Sequence, residues 1–295
     1  MVAPPKVAVI VASLGRPDAV ALLLDRLARQ SLPPHRTILS VEKPADLPPV
    51  MPDTLNVEVI IGPRGSSVQR NRGLDRLGED ADFIAIFDDD YVPSLRALEG
   101  ILRGFEVCPD ASGLCGELLA DGASGPGVDP ESAIAMVDAE DAVRDPQRRV
   151  TRLPGVGVYG CNMVFRRPDI GDVRFDESLP LYGWLEDSDF GARLPGPVIY
   201  CDAFFGVHCA VKSGREKSGV RQGYSQVMNP VYLQRKGTLS AGRALKLVLR
   251  PFAANLMRTR RPEPWIDRAG RLRGNLLAFG DLLRGRITPQ RITSL

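Results

Sequence analysis

The chain has no apolar run near the roughly 18 residues of a membrane-spanning helix, because Lys246 and Arg250 interrupt the best candidate. No membrane crossing is therefore expected. Its 5 cysteines are odd in number and form no CxxC pair, which argues against a disulfide framework or a zinc cluster and for a reducing cytoplasm. Lys6 precedes only a short apolar run, Val7 to Ala12, with no cleavage site after it, so this run reads as a buried strand and not a signal peptide. Histidine is scarce too: 2 among 295 residues, of which His208 closes the apolar stretch Phe204 to Val207. There is no internal repeat and no low-complexity tract. What is present, 44% hydrophobic and 25% charged residues, is the composition of a globular protein and excludes a collagenous or disordered chain.

A net charge of +2 conceals two opposite parts. Residues 1–234 hold 24 Lys+Arg against 33 Asp+Glu, whereas residues 235–295 hold 14 against 3. In the basic part, Leu245, Val248, Phe252 and Leu256, then Leu272, Leu276, Phe279 and Leu283, recur at helical spacing between arginines. Two amphipathic helices are expected, either docked on the rest of the chain or attached to an anionic membrane surface through residues 240–295. Nucleic acid is not expected as a partner, because the segment carries no recognisable reading motif.

The first 110 residues alternate strand-like and helix-like patterns, the mark of an α/β sheet. Strands are expected at Val7 to Ala12, Thr37 to Val41, Val57 to Ile61 and Phe83 to Phe87, with helices at Pro17 to Gln30, Ser67 to Leu77 and from Pro93 and Ser94 to Val107. Residues 120–152, rich in Gly, Pro and charge, read as an insertion or active-site lid. Strand-like stretches return at Val156 to Tyr159, Met163 to Phe165, Val198 to Cys201 and Phe204 to Val207.

Asp88, Asp89 and Asp90 end an apolar strand, and like charges so close repel unless something positive binds them. In an open α/β sheet, ligands gather at that end of the strands. Residues two apart on extended backbone share a side, so Asp88 and Asp90 point together, and hard oxygen ligands favour Mg²⁺ or Mn²⁺. An exposed turn capping the next helix is the alternative. A second acidic cluster, Glu186 and Asp187, lies at an expected helix N-terminus behind Leu181-Tyr182-Gly183-Trp184, where an anion is stabilised and a carboxylate can take a proton from a hydroxyl; Asp189 is expected to pair with Arg193. Gly160-Cys161-Asn162 forms a turn whose backbone can approach a sugar or phosphate.

Taken in order, these segments resemble the family 2 glycosyltransferases with the GT-A fold. Val9 to Pro17, with Ser13 and Arg16, resembles the family's first strand and nucleotide-contacting turn. Ser67 to Leu74, with Arg70 and Asn71, resembles its Arg-Asn-x-Gly helix; Phe87 to Pro93 its DxD metal motif; Gly160 to Met163, with Asn162, its acceptor-side turn; and Glu186-Asp187 its ED motif. His208 falls where many GT-A enzymes place a third metal ligand, and Glu42 where the family commonly has an Asp contacting base or ribose.

The resemblance implies a three-layer α/β/α sandwich with a mostly parallel central sheet over residues 1–235 and a basic helical extension over 236–295. It implies inverting transfer of a sugar from a nucleoside diphosphate donor of UDP, GDP or dTDP type to a saccharide or lipid-linked acceptor, in cell-envelope or exopolysaccharide synthesis. The protein would be cytoplasmic or peripheral on the inner face of the cell membrane. Asp88, Asp90 and His208 would hold Mg²⁺ or Mn²⁺, and Asp89 or Asp88 the ribose. Asp187 would be the general base with Glu186 orienting the acceptor, and Arg70, Lys212 and Arg215 would contact the diphosphate. Two rivals stand beside this. Asp88-Asp89-Asp90-Tyr91-Val92 also fits the DxDx[TV] pattern of haloacid-dehalogenase-like phosphohydrolases, with Asp88 as nucleophile. A catalytically silent sugar-nucleotide-binding module would share the binding residues.

Overall fold

The computed structural model describes residues 5–154, 158–210 and 219–295. It comprises two compact units. The first, Met1–Arg64, Val68–Arg174 and Leu194–Val211, contains β1 (Val7–Ala12), α1 (Pro17–Ala28), β2 (Arg36–Val41), β3 (Val57–Ile61), most of α2 (Ser66–Leu77), β4 (Phe83–Asp88), β5 (Tyr91–Pro93), α3 (Ala97–Val107), β6 (Gly113–Asp121), α4 (Pro130–Val143), β7 (Arg152–Pro154), β8 (Asn162–Arg166), α5 (Arg167–Ile170) and β9 (Val198–His208). The nine strands form one sheet in the order β3-β2-β1-β4-β8-β6-β9-β5, with β7 also on β9. β3, β2, β1 and β4 run parallel, as do β6 and β9, while β8 is antiparallel to both β4 and β6.

Val7 to Val11 and Ile84 to Phe87 are unbroken apolar runs because both faces of β1 and β4 are buried. Crossing from β1 to β4, Ala12 pairs with Asp88, so the residues just beyond each strand, Ser13 and Asp89, emerge side by side. On the other half of the sheet, His208 pairs with Tyr91 of β5 on one side and Asp121 of β6 on the other. Register thus brings Asp121 to His208, and Asp90, the residue before Tyr91, faces the same ring at 3.6 Å.

The structure differs from the sequence reading in four places. The helix expected from Pro93 opens at Ala97, because Tyr91–Pro93 pairs with β9 as a strand and Ser94 N–H continues that pairing onto the Phe205 carbonyl at 3.0 Å. The two strands expected at Val198 to Cys201 and Phe204 to Val207 are one, β9, whose partner β6 absorbs the irregularity as register shifts. Residues 120–152 contain α4, capped by Asp129 and packed through Ala133 and Val137 against Val92, Phe205 and Val207; Asp138 of α4 also takes the buried Arg26 guanidinium at 2.6 Å. Of the strand expected at Val156 to Tyr159, residues 156 and 157 lie outside the described residues, and Val158 and Tyr159 are not in a strand.

The second unit is Gly65–Ser67, Phe175–Arg193 and Lys212–Leu295. It contains α6 (Glu186–Ala192), α7 (Gly219–Lys236), α8 (Ala241–Arg258) and α9 (Arg268–Leu283). Tyr224, Val227 and Met228 of α7, Val248 of α8 and Ala278 of α9 form its core with Ile292. A fully buried polar network crosses the same helices: Asn255 donates to Gln226 and to Asn275, each at 2.9 Å, and Asn275 donates to the Gly223 carbonyl at 2.6 Å. Such a network fixes one helix register, because any slip would leave buried amides unpaired.

Candidate active site

In the first unit the three consecutive aspartates at the end of β4 diverge. Asp89 turns under β1, where Ser13 Oγ donates to it at 2.6 Å and Arg16 pairs with it at 2.7 Å. Arg16 also reaches Asp90 at 2.7 Å. Asp88 accepts from Arg70 of α2 at 2.7 Å, and the same guanidinium donates to the Gly160 carbonyl at 3.3 Å. Ligand atoms of Asp88, Asp90 and His208 all lie within 4.8 Å of one another. Asp88 and Asp90 thus converge and Asp89 lies apart, although Asp89 and Asp90 sit in a turn and not on the extended backbone that the sequence reading assumed.

His208 is oriented from behind. Its Nδ1 donates to Asp121 at 2.8 Å, Tyr159 donates its hydroxyl to the other oxygen of that carboxylate at 2.8 Å, and Nε2 faces Asp90 at 3.6 Å. Burial opposes the charged imidazolium, but the contacts with Asp121 and Asp90 and the charges of Asp90 and Asp88 outweigh it and raise His208 to about 9. Asp121 is held below its usual range: burial works against this, and His208, the Ala123 N–H and Tyr159 overcome it. Burial pushes the Asp89 carboxyl up to about 7, against the pull of Arg16. Four carboxylates, Asp88, Asp89, Asp90 and Asp121, thus share two arginines and one histidine.

The turn after β1 is pinned from two sides. Gln69 of α2 donates to the carbonyls of Ser13 and Ser40 at 2.7 and 2.8 Å, and the buried Asp46 accepts from Gly15 N–H at 3.1 Å. Gly15 sits at φ +66°, in the left-handed region that glycine adopts without strain.

The remaining expected residues fall as follows. Glu42 follows β2, half-buried, and pairs loosely with Arg64 at 3.9 Å. Asn71 is buried on α2. Asn162 begins β8 with its side chain wholly inaccessible, so contact with a ligand at this turn is left to backbone and to the partly exposed Gly160. Of the two residues expected at the ribose, Asp89 is 1% exposed and the Asp88 side chain 31% exposed. Lys212 and Arg215 lie outside the described residues. Asp46 and Asp121 were missed. Asp46 gave no signal, being one acid among prolines, whereas Asp121 ends a strand just as Asp88 does and would have been found had β6 been read.

In the second unit, Glu186 and Asp187 open α6. Glu186 is buried and accepts from Ser66 Oγ at 3.3 Å. Asp189 is fully buried by Arg193 at 2.8 Å, Lys236 at 2.9 Å and Thr238 at 2.8 Å, so its expected pairing with Arg193 holds within a larger cluster. Asp187 alone of the three is only partly buried. The loop before it carries Leu181 at φ +63° and Leu185 at φ +76°, a conformation that bulky side chains rarely adopt and that collects at functional sites.

No model of a known protein family matches the sequence, and no curated protein matches it either. Solved structures do resemble the fold. Residues 1–349 of TarS from S. aureus superpose with a TM-score of 0.57 at 14% identity, over 98% of this chain and 83% of that one. The mannosyltransferase PcManGT from Pyrobaculum calidifontis, solved with GDP-Man and Mn²⁺, gives 0.55 at 15% identity, over 99% of this chain and 84% of that one. The chain has the α/β fold of the GT-A glycosyltransferases.

Proposed function

We propose that the chain is an inverting glycosyltransferase of the family 2 type, moving a hexose from a nucleoside diphosphate sugar to an acceptor hydroxyl in cell-envelope or exopolysaccharide synthesis. The observation that carries this reading is the convergence of Asp88, Asp90 and His208 at the carboxyl end of β4, beside the pinned turn of Ser13 and Arg16. The donor set, two carboxylates and an imidazole oriented by Asp121, suits Mg²⁺ or Mn²⁺. The mannosyltransferase of similar fold was solved with GDP-Man and Mn²⁺, which supports the same class of donor and metal here. The bound cation would supply neutralisation of the charge that develops on the departing diphosphate. Asp88 would hold the ribose, Asp89 would fix Ser13 and Arg16 against the nucleotide, and Arg70 would keep Asp88 in place. Asp187 would take the acceptor's proton and Glu186 would orient the acceptor. Five buried free cysteines are consistent with a reducing cytoplasm. The phosphohydrolase reading loses ground because its nucleophile belongs on the first strand of a different α/β topology, and Asp88 ends the fourth strand here.

Calorimetric titration with UDP, GDP, dTDP and CDP, each with Mn²⁺ and with EDTA, tests the proposal. One diphosphate should bind in a metal-dependent way and so name the donor class. Absence of binding to all four by the folded protein would refute it. Two substitutions grade the site. Asp90→Ala should weaken Mn²⁺-dependent donor binding about tenfold or more, and Asp121→Asn by a similar or smaller factor, because it acts only by releasing His208. Unchanged Mn²⁺ dependence in Asp90→Ala would remove that residue from the metal site.

A further inference from the structure

Helix α8 has two apolar faces, and packing within the second unit uses one. Ala244, Val248 and Asn255 are buried. On an adjoining face, Leu245, Leu249, Ala253 and Leu256 recur at intervals of four, four and three residues, which aligns them along the helix. Those three leucines are 58, 49 and 56% exposed, and Met257 next to them is 74% exposed. Helix α9 repeats the arrangement: Asn275 and Ala278 are buried, while Leu276 and Leu283 are 57 and 91% exposed. The two stripes meet where Phe252 and Phe279 pack edge to face, 5.2 Å between ring centroids. Single exposed leucines are ordinary, but two aligned stripes joined by an aromatic pair mark an interaction surface.

Cations accompany the stripes. Lys246 and Arg250 each follow a stripe leucine by one position, Arg243 extends their row on α8, and Arg273 is exposed on α9. None of these four has a carboxylate partner among the described residues. No described helix is long and apolar enough to cross a membrane.

We propose that the outer face of α8 and α9 docks on an anionic lipid bilayer. The leucines and Met257 enter the headgroup boundary, and Arg243, Lys246, Arg250 and Arg273 meet lipid phosphates. Charge complementarity selects this occupant: a second copy of the chain would set the same unpaired cations against each other, whereas an anionic leaflet answers both the apolar stripe and the basic row. The proposal does not depend on the sugar-transfer reading.

The test is co-sedimentation of the full chain with vesicles of phosphatidylcholine alone and of phosphatidylcholine with phosphatidylglycerol. The bound fraction should be about tenfold higher with the anionic lipid and should fall as salt rises from roughly 0.1 to 0.5 M. A Leu249→Glu/Leu256→Glu variant and a Lys246→Glu/Arg250→Glu variant should each lose most of that binding, about tenfold. All four positions are exposed, so the fold is retained, and Val143→Glu in the first unit, 77% exposed, should sediment with vesicles like the parent. Equal binding to both vesicle types, or undiminished binding by the leucine variant, overturns the proposal. So does a lipid-free dimer in analytical ultracentrifugation that the leucine variant dissolves, since a second copy would then be the occupant.

Discussion

Asp187→Asn should leave the fold and donor binding intact and slow transfer by about two orders of magnitude or more. A general base must be reachable by the hydroxyl it deprotonates and must not be committed to the interior. Among the acids of α6, Glu186 is buried against Ser66 and Asp189 is locked by Arg193, Lys236 and Thr238, leaving Asp187 as the accessible carboxylate. The left-handed Leu181 and Leu185 add a second argument, because backbone strain of this kind persists only where the surroundings impose it, and it lies in the loop that delivers Asp187. An amide keeps the shape and removes the basicity, so the substitution isolates proton transfer from packing. The assay is release of nucleoside diphosphate from whichever sugar nucleotide binds in calorimetry, with water or a simple saccharide as acceptor. Near-normal turnover would move the base to Glu186 or elsewhere. Glu186→Gln, which disturbs a buried contact, should lower stability as well as rate.

The parallel half of the sheet was readable because strands buried on both faces must be apolar throughout, and Val7 to Ala12 and Phe83 to Phe87 can be little else. The aspartates stood out for the same reason, as charge where an apolar run stops. Strand β6 hid itself. It contains Gly113 and Gly116, at which a Cβ would lie 2.6 Å from the Phe165 ring and 2.4 Å from the Phe204 ring, so close packing selects a residue with low strand propensity. With the strand went Asp121, and with Asp121 the support of His208. Helix α7 was also invisible. Its inward face mixes Tyr224, Val227 and Met228 with Gln222, Ser225, Gln226 and Asn229, and it carries an internal proline, so its apolar stripe is diluted by buried polar residues. Its buried amides answer partners on α8 and α9 that only the folded chain brings together. The expected stripes of α8 and α9 were half right in content. Val248 faces the core, but Leu245, Leu256, Leu276 and Leu283 do not, because the helices turn their small and amide residues inward.

Gly274→Val should unfold or loosen the second unit, at a cost of roughly 3 kcal/mol, with Gly274→Ala less severe. Glycine inside an exposed helix is merely unfavourable, but here it permits contact between backbones. A Cβ on Gly274 of α9 would lie 2.0 Å from the Val220 carbonyl oxygen and 2.6 Å from the Tyr224 nitrogen of α7, and a Cβ on Gly223 would lie 1.9 Å from the Arg271 carbonyl oxygen. Main-chain atoms cannot rotate away, so the helices must separate. Separation breaks the bond from Asn275 to the Gly223 carbonyl and the Tyr224 hydroxyl bond to Asp281 at 2.8 Å. Function would follow stability, because α7 also holds the loop that carries the proposed base. Asn229 donates to the Trp184 carbonyl at 2.8 Å, Tyr232 donates to Asp176 at 2.9 Å, and Lys236 reaches Asp189. The chain's 2 tryptophans, Trp184 and Trp265, both lie in this unit, so their fluorescence during urea unfolding reports on it directly. A parental unfolding midpoint in Gly274→Val would mean that α7 and α9 do not approach as closely as the glycines require. A lowered midpoint with donor binding retained would show that the proposed metal-binding residues of the first unit keep their arrangement when the helices of the second unit loosen.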